Sequence, residues 1–363
     1  MATQRPIAAD DALHGRGRPG GDAEALVIRR HLLQRLEDHP EARLIVVRGP
    51  AGFGKTSLLR QYCERRAAAD DAVAWLRLDA RSADPPEFLR RLCTAVRGMA
   101  ERGGAGGTRT TSRGASLECL GRAFGRLTGR AVIVVDGFEH VAAPGLMSVF
   151  SQVVRLLPAG VQLCVGTRGL PGTRLSRILG SGETLEIEQE DLRFKAGETA
   201  EFFADVAKLT AADIADIQQR SDGWPAALQC FRLCMRRGRD YRSMAYSGRG
   251  MTPELIDFLA SDVFEDLSPG LQSRLLELCV PDRISPALVE YVTGTPGGRV
   301  QIAEIEQAGL FLMPADLECT WYRFHNLFRH FLLARLRTET SAEEMQMRHA
   351  RLAEWFAAHD LRE

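Results

Sequence analysis

The sequence predicts an α/β domain, a parallel sheet with helices on both faces, followed by an all-helical segment and a winged-helix unit. Three observations predict it. Short apolar, β-branched runs alternate with helical patterns up to about residue 192. The stretch Gly49-Pro50-Ala51-Gly52-Phe53-Gly54-Lys55-Thr56 lies between the first apolar run and a helical one. Beyond residue 192 the alternation gives way to helices and one late pair of short strands. Near-continuous apolar strands separated by helices indicate a parallel sheet covered on both sides.

The elements follow in order. Residues 1–24 are polar and rich in Gly, Arg and Asp, and read as a disordered tail. Apolar spacing over 25–37 predicts a helix. Strands are predicted at 43–48, 73–78, 131–135, 161–166 and 184–187, with helices near 56–68, 84–100, 116–128 and 144–157. The Gly/Thr/Ser/Arg-rich residues 102–115 read as a mobile surface loop inside this first domain, 25–192. Helical patterns at 196–207, 211–220 and 224–236, with a linker near 238–250, make a helical subdomain over 193–249. Short helices over 252–308, strand runs 310–313 and 320–324 and a helix from His325 make a winged-helix domain over 250–337. The remaining residues, 338–363, hold one more amphipathic helix at 341–358, whose apolar face has no evident partner in the sequence.

Bulk properties narrow the function classes. The 363 residues carry 47 basic and 47 acidic side chains, so no global field draws the chain to nucleic acid or an anionic membrane. No apolar run approaches the ~18 residues of a spanning helix, and the N-terminus lacks a signal-peptide core. A cytoplasmic location and no membrane partner are expected. The eight cysteines include no C-x-x-C. Cys230 and Cys234 share a helical face, but no histidine accompanies them, and buried reduced thiols are the reading.

Only three residues are lysines: Lys55, Lys195 and Lys208. Lys55 falls in G-x-x-x-x-G-K-[ST], the P-loop pattern, where a compact ammonium fits among phosphate oxygens better than a planar guanidinium. Gly49, Gly52 and Gly54 let the backbone curl so that its N–H groups face a phosphate, helped by the following helix N-terminus. Lys55 would span the β- and γ-phosphates, Thr56 would offer its hydroxyl to Mg²⁺, and Ser57 could reach the α-phosphate. Asp136 ends the most apolar strand, where Mg²⁺ is held in such sheets; the alternative is a helix-capping Asp. Lys55, Asp136 and Glu139 are the candidate catalytic set. Glu139 is a base or merely a solvated, capping carboxylate, and Gly137 follows Asp136 in place of a paired carboxylate, so slow hydrolysis at most is expected. Arg168, at the tip of the next strand, is a γ-phosphate sensor or a surface loop residue. Pro225, after Gly223 and Trp224, starts a helix or packs on an adenine. His325 donates to a phosphate or caps its helix.

Taken together, Val27-Ile28-Arg29-Arg30-His31, Pro50-Ala51-Gly52-Phe53-Gly54-Lys55-Thr56, Ala74-Trp75-Leu76-Arg77-Leu78-Asp79, Thr167-Arg168-Gly169-Leu170-Pro171, Asp191-Leu192-Arg193-Phe194, Gly223-Trp224-Pro225 and Trp321-Tyr322-Arg323-Phe324-His325 form a familiar series. Over nearly its whole length the chain resembles the nucleotide-binding core of STAND-class signalling ATPases, the MalT-like large ATP-binding regulators of the LuxR type. The resemblance implies an ATP/ADP switch with Mg²⁺. Arg29 would lie near the nucleotide, Arg168 would be the first sensor, Pro225 would pack on adenine, and His325 would meet the β-phosphate of ADP in a closed state. ATP together with an inducer would open the protein for assembly into a homo-oligomer. Two departures stand out. Most relatives have a second Asp where this chain has Gly137. The family also continues into a helical sensor arm and a DNA-binding helix-turn-helix, whereas this chain ends at Glu363, where the arm would begin. The inducer is therefore unknown and expected to act through the missing sensor region, and no direct DNA binding by this chain is expected. Two other function classes stay open: a catalytic P-loop ATPase or kinase, and a degenerate nucleotide-binding scaffold.

Overall fold

The computed structural model describes residues 27–78, 84–102, 116–141, 144–169, 183–206, 209–236, 253–316 and 320–359. The expected tail 1–24, the linker 238–250 and residues 103–115 of the expected surface loop lie outside these. The chain divides into two compact units: Met1–Gly49 with Gly54–Leu192, and Pro50–Phe53 with Arg193–Glu363.

The first unit contains α1 (Arg30–Glu37), β1 (Leu44–Arg48), α2 (Lys55–Ala68), β2 (Ala72–Arg77), α3 (Pro85–Arg102), α4 (Leu117–Phe124), β3 (Ala131–Asp136), α5 (Pro144–Leu156), β4 (Val161–Thr167), β5 (Thr184–Ile187) and α6 (Gln189–Leu192). All five strands are parallel, in the order β2-β3-β4-β1-β5. β3 and β4 are buried along their whole length. Alternate residues Leu44 and Val46, Ile133 and Val135, and Leu163 and Val165 pack with Phe88, Leu92 and Val96 of α3 and Phe150 and Val153 of α5. The hydroxyl of Tyr62, on α2, donates to Gln162 Oε1 of β4 at 2.6 Å, and that amide in turn donates to the Ala42 carbonyl. This is how a glutamine is tolerated in a buried strand: its polar atoms are paired.

Two boundaries differ from the sequence expectation for identifiable reasons. The first helix begins at Arg30, because Arg29 leaves the helical conformation (φ −78°, ψ 64°). Its buried guanidinium instead donates to the carbonyls of Leu192 (2.8 Å) and Asp191 (3.2 Å). The helix expected to reach residue 128 stops at Phe124, just before Gly125.

The second unit contains α7 (Ala196–Phe203), α8 (Ala211–Ser221), α9 (Pro225–Arg236), α10 (Pro253–Leu259), α11 (Pro269–Leu278), α12 (Pro286–Thr293), α13 (Gly298–Gln307), the antiparallel hairpin β6 (Leu312–Pro314) and β7 (Tyr322–Phe324), α14 (Asn326–Glu339) and α15 (Ala342–Ala358). Ile284 pairs with Tyr322 and extends the hairpin by one bridge. The strand expected from residue 310 starts only at Leu312, since Phe311 adopts φ 56°, a left-handed conformation that a strand cannot contain. The last helix does find a partner for its apolar face. Leu352, Trp355 and Phe356 are buried, and Trp355 meets Trp321 edge to face.

Candidate nucleotide site

In the first unit the phosphate-loop ends and three strand tips converge at the carboxyl edge of the sheet. β1 runs into the loop, β4 lies beside β1, and β3 lies beside β4. Gly49 N donates to Thr167 O at 3.2 Å, which ties the start of the loop to the tip of β4. Gly54 closes the loop with φ 80° as the N-cap of α2, a left-handed position suited to glycine. No side chain caps α2 and no acidic residue sits in its first turn. The positive end of the α2 dipole thus favours an anion there.

Lys55 is almost fully buried, at 9% exposure, and its Nζ donates to Gly49 O at 2.7 Å. Burial lowers its pKa to about 8; Glu139 and Asp136 counter that, and Arg168 adds to it. Thr56 Oγ1 donates to Asp136 Oδ2 at 2.8 Å. Asp136 is equally buried, and desolvation raises its pKa against the opposing pull of the Thr56 hydrogen bond and the Lys55 charge. A buried carboxylate that desolvation pushes towards protonation, next to a helix-initial hydroxyl, is a donor set that suits a divalent cation. Thr56 and Asp136 would hold Mg²⁺ there.

Glu139 and Arg168 are brought together. Arg168 Nε lies 3.2 Å from Glu139 Oε1, and Arg168 N donates to Glu139 Oε2 at 3.1 Å. The turn holding Glu139, Phe138–Val141, follows Gly137, which has φ 79°. A second aspartate at that position would have to take up the same left-handed backbone. Ser57 is partly buried in the first turn of α2. Arg29 spends its guanidinium on the carbonyls that end α6, while its backbone N–H donates to Gln61 Oε1.

Sequence reasoning missed Gly166. A Cβ there would lie 2.7 Å from Asp136 Oδ1, so this glycine of β4 makes the space that Asp136 occupies. Thr167, part of the Thr167–Pro171 motif, has a structural role of its own. It is fully buried and donates from Oγ1 to Gly169 O at 2.6 Å, holding the turn that carries Arg168. The parallel pairing of Asp136 with Gly166 is the signal that exposes the first of these, and it requires knowing the strand order.

The remaining predicted residues belong to the second unit. Gly52 has φ 72°, and a Cβ on it would meet Ala226 Cβ at 2.5 Å. Its carbonyl accepts from Ala226 N at 3.1 Å, so the first turn of α9 holds the loop tip. Pro225 occupies the first position of that helix. Trp224 is fully buried; its Nε1 donates to Ala51 O at 3.3 Å, and its ring stacks on Phe53 and meets Phe311 and His325 edge to face. Gly223 has φ 67°, and a Cβ there would come within 2.5 Å of Phe194 O. His325 is the N-cap of α14. Its Nδ1 accepts from Leu327 N at 3.3 Å and its Nε2 lies 3.1 Å from Ser221 O. An acceptor at Nδ1 requires the proton on Nε2, so Nε2 donates to Ser221. Burial lowers the imidazole pKa to about 4, with Asp222 acting against that shift and Arg193 with it. The ring is neutral at physiological pH.

Among the described residues no helix is long and apolar enough to cross a membrane, and no cluster of three or more metal-ligating side chains occurs. The side chain of Cys234 lies outside the described residues.

Comparison with known proteins matches residues 38–172 to the AAA domain family and residues 260–344 to the MalT winged helix domain family. The chain is 30% identical over 354 residues to the serine/threonine-protein kinase PknK of Mycobacterium tuberculosis, covering 94% of this chain and 31% of that protein. It is 27% identical over 349 residues to the HTH-type transcriptional regulator MalT of Klebsiella pneumoniae, covering 92% of this chain and 38% of that one. The chain thus spans about a third of the length of the curated relatives it matches. Among solved structures, the Aeropyrum pernix Orc1 protein in complex with DNA aligns with TM-score 0.44 and 19% identity, over 86% of this chain and 93% of that one. That likeness is too loose to carry an argument.

Proposed function

We propose that this chain, a homologue of MalT and PknK with an AAA-type P-loop domain and a MalT-type winged helix, is the adenine-nucleotide switch core of a signalling regulator. The observation that carries the reading is the Lys55–Thr56–Asp136 arrangement. A buried ammonium with a lowered pKa, an uncapped helix N-terminus and a desolvated carboxylate each cost free energy without an anion and a divalent cation beside them. The N–H groups at the start of α2 and Lys55 would bind the phosphates, and Thr56 and Asp136 would orient Mg²⁺. Bound Mg²⁺ would neutralise phosphate charge, the chemistry such sites take from it. Ser57 would contact the α-phosphate, and Arg168, carried by the Glu139 ion pair, would respond to the γ-phosphate. Pro225 would pack on the adenine.

The switch itself follows from differential binding. A nucleotide shifts a conformational equilibrium only by its preference for one state. ADP would favour a closed state, with His325 turned to the β-phosphate. Reaching it would require His325 to exchange its Ser221 hydrogen bond. Arg29 would have to leave the α6 carbonyls to approach a nucleotide. ATP with an inducer would favour an open, self-assembling state, and slow hydrolysis would reset it. Neither inducer recognition nor direct DNA contact is assigned to the residues described above. The kinase in the relative's name is not carried over, since the loop here is G-x-x-x-x-G-K-[ST] rather than the glycine loop of protein kinases.

The test is the nucleotide released on denaturing the purified chain, followed by sizing in ADP and in ATP. Stoichiometric ADP and larger assemblies only in ATP are expected. A chain that neither retains nor binds adenine nucleotide would end this reading and leave the degenerate scaffold. Turnover at or above about 10 per second, an ordinary enzyme rate, would favour the catalytic alternative.

A further inference from the structure

The second unit contains a cavity of about 140 Å³, none of whose lining residues belongs to the nucleotide site. Three helices build its walls. Glu277 stands in the last turn of α11, with Val280 two residues beyond that helix, and Tyr291 stands in the last turn of α12. Arg348, Arg351 and Leu352 come from α15, which packs on α12. These three positions have helical spacing and share one face of α15. Val280 and Leu352 are buried and supply apolar lining. The Arg351 guanidinium donates to Tyr291 O at 3.3 Å, and its Cζ lies 5.5 Å from the centre of that ring. No ion pair closes across the cavity. Among the described residues, Glu277 and Arg348 have neither an ion pair nor a side-chain hydrogen bond, and Arg351 has no carboxylate partner. The cavity therefore joins apolar lining to two poles of opposite charge that do not neutralise each other.

We propose that this cavity binds a free α-amino acid with a branched aliphatic side chain, of the valine or leucine type, as its zwitterion. Size sets the first limit. An apolar cavity of ~150 Å³ takes a benzene-sized molecule, so the space here suits an isopropyl or isobutyl group against Val280 and Leu352. Charge sets the second. Arg348 and Arg351 supply charge-assisted donors for the carboxylate, and Arg351 is already oriented by the Tyr291 carbonyl. The ammonium needs an acceptor. The carbonyls of Cys279 and Val280 already accept from Arg329, at 2.9 and 2.6 Å, which leaves Glu277. The negative ends of the α11 and α12 dipoles favour the same cation. A monocarboxylate satisfies the arginines but faces Glu277 with a like charge. An amine does the reverse. A zwitterion pairs all three side chains, and the mismatched charges reject the other two classes. Because the bound amino acid touches α11, α12 and α15 together, it stabilises the packing of α15 on the winged helix.

The experiment is calorimetric titration of the full chain with leucine, 4-methylpentanoate and 3-methylbutylamine, with Tm measured in each. All three carry the isobutyl group; the second lacks the ammonium and the third lacks the carboxylate. Leucine should bind at about one per chain, raise Tm, and bind at least about tenfold more tightly than either analogue, the loss expected for a hydrogen bond to a charged group. Glu277→Gln should weaken leucine by about tenfold and leave 4-methylpentanoate no weaker, whereas Arg348→Met should weaken both. If 4-methylpentanoate bound as tightly as leucine, the cavity would be a plain anion site and the proposal would fall. It would fall equally if neither leucine nor valine gave heat or raised Tm, or if leucine affinity were indifferent to both substitutions. The analogue series on the wild-type chain decides the matter even if a variant does not fold.

Discussion

The two ends of the phosphate loop and its middle are governed by different physics. Gly49, Gly54, Lys55 and Thr56 belong to the sheet unit, where Lys55 feels the charges of Glu139, Arg168 and Asp136 and Thr56 donates to Asp136. Pro50–Phe53 belong to the second unit, where Ala51 accepts from Trp224 and Phe53 stacks among aromatic rings. The charged end has partners that a bound ligand would exchange, such as Lys55 Nζ on Gly49 O. The aromatic end is held by shape and dispersion, which no ion displaces. The contrast teaches that a single loop can be tuned for binding at one end and anchored at the other.

The comparison can be broken most forcefully at Trp224. Replacing it with Ala should destabilise the second unit by roughly 3–5 kcal/mol, the range for a buried Trp, while leaving the first unit nearly intact. Urea unfolding followed by proteolysis of each unit measures this. Equal losses in both units would erase the contrast.

Next is an acid effect confined to the second unit. The folded pKa of His325 lies below its unfolded value near 6.5, at about 4. Between these values the unfolded chain binds more protons, so the stability is present above pH 6.5 and lost as pH falls towards 4. The loss should reach on the order of 3 kcal/mol, and His325→Gln should remove most of it, leaving the part due to His330, whose pKa burial also lowers. Stability curves of both proteins between pH 4 and pH 7 decide it.

At the charged end, Lys55→Ala should weaken adenine nucleotide by roughly 10- to 150-fold, the equivalent of about 1.5–3 kcal/mol for a hydrogen bond to a charged group. Calorimetric titration checks it. The stability of the first unit at pH 7 should not fall, because the buried ammonium carries a desolvation cost. An undiminished affinity would mean that the loop ends do not bind phosphate.

The smallest effect concerns pH. Lys55 loses its charge above about pH 8, so nucleotide affinity should decline from there, by up to about tenfold per pH unit. Below pH 8 the affinity should be flat with respect to this group. Titrations at pH 7, 8 and 9 would show it, and the slope should vanish in Lys55→Ala.

Much of the sheet unit was legible because its strands are uninterrupted apolar runs and its loop has a fixed spacing. Ala131–Val135 could hardly be anything but a buried strand. What stayed hidden depended on partners remote in sequence. Gly166 reads as an unremarkable strand residue until Asp136 is placed beside it. Glu139 and Arg168 form an ion pair that nothing in their 29-residue separation announces. The start of the first helix was misjudged because Arg29 answers to carbonyls 162 and 163 residues away. His325 was legible as a helix cap, but its second hydrogen bond, to Ser221, was not.

Phe311 carries a consequence of its own. An aromatic residue at φ 56° is held at a cost of about 1–3 kcal/mol, and it persists because Phe53, Trp224 and Phe328 enclose its ring. The joint between α13 and β6 therefore resembles a cocked latch. If the rings around it part, the backbone at 311 gains by relaxing to an extended conformation, and the strand β6 can lengthen by one residue. The strain released there would offset part of the cost of parting those rings.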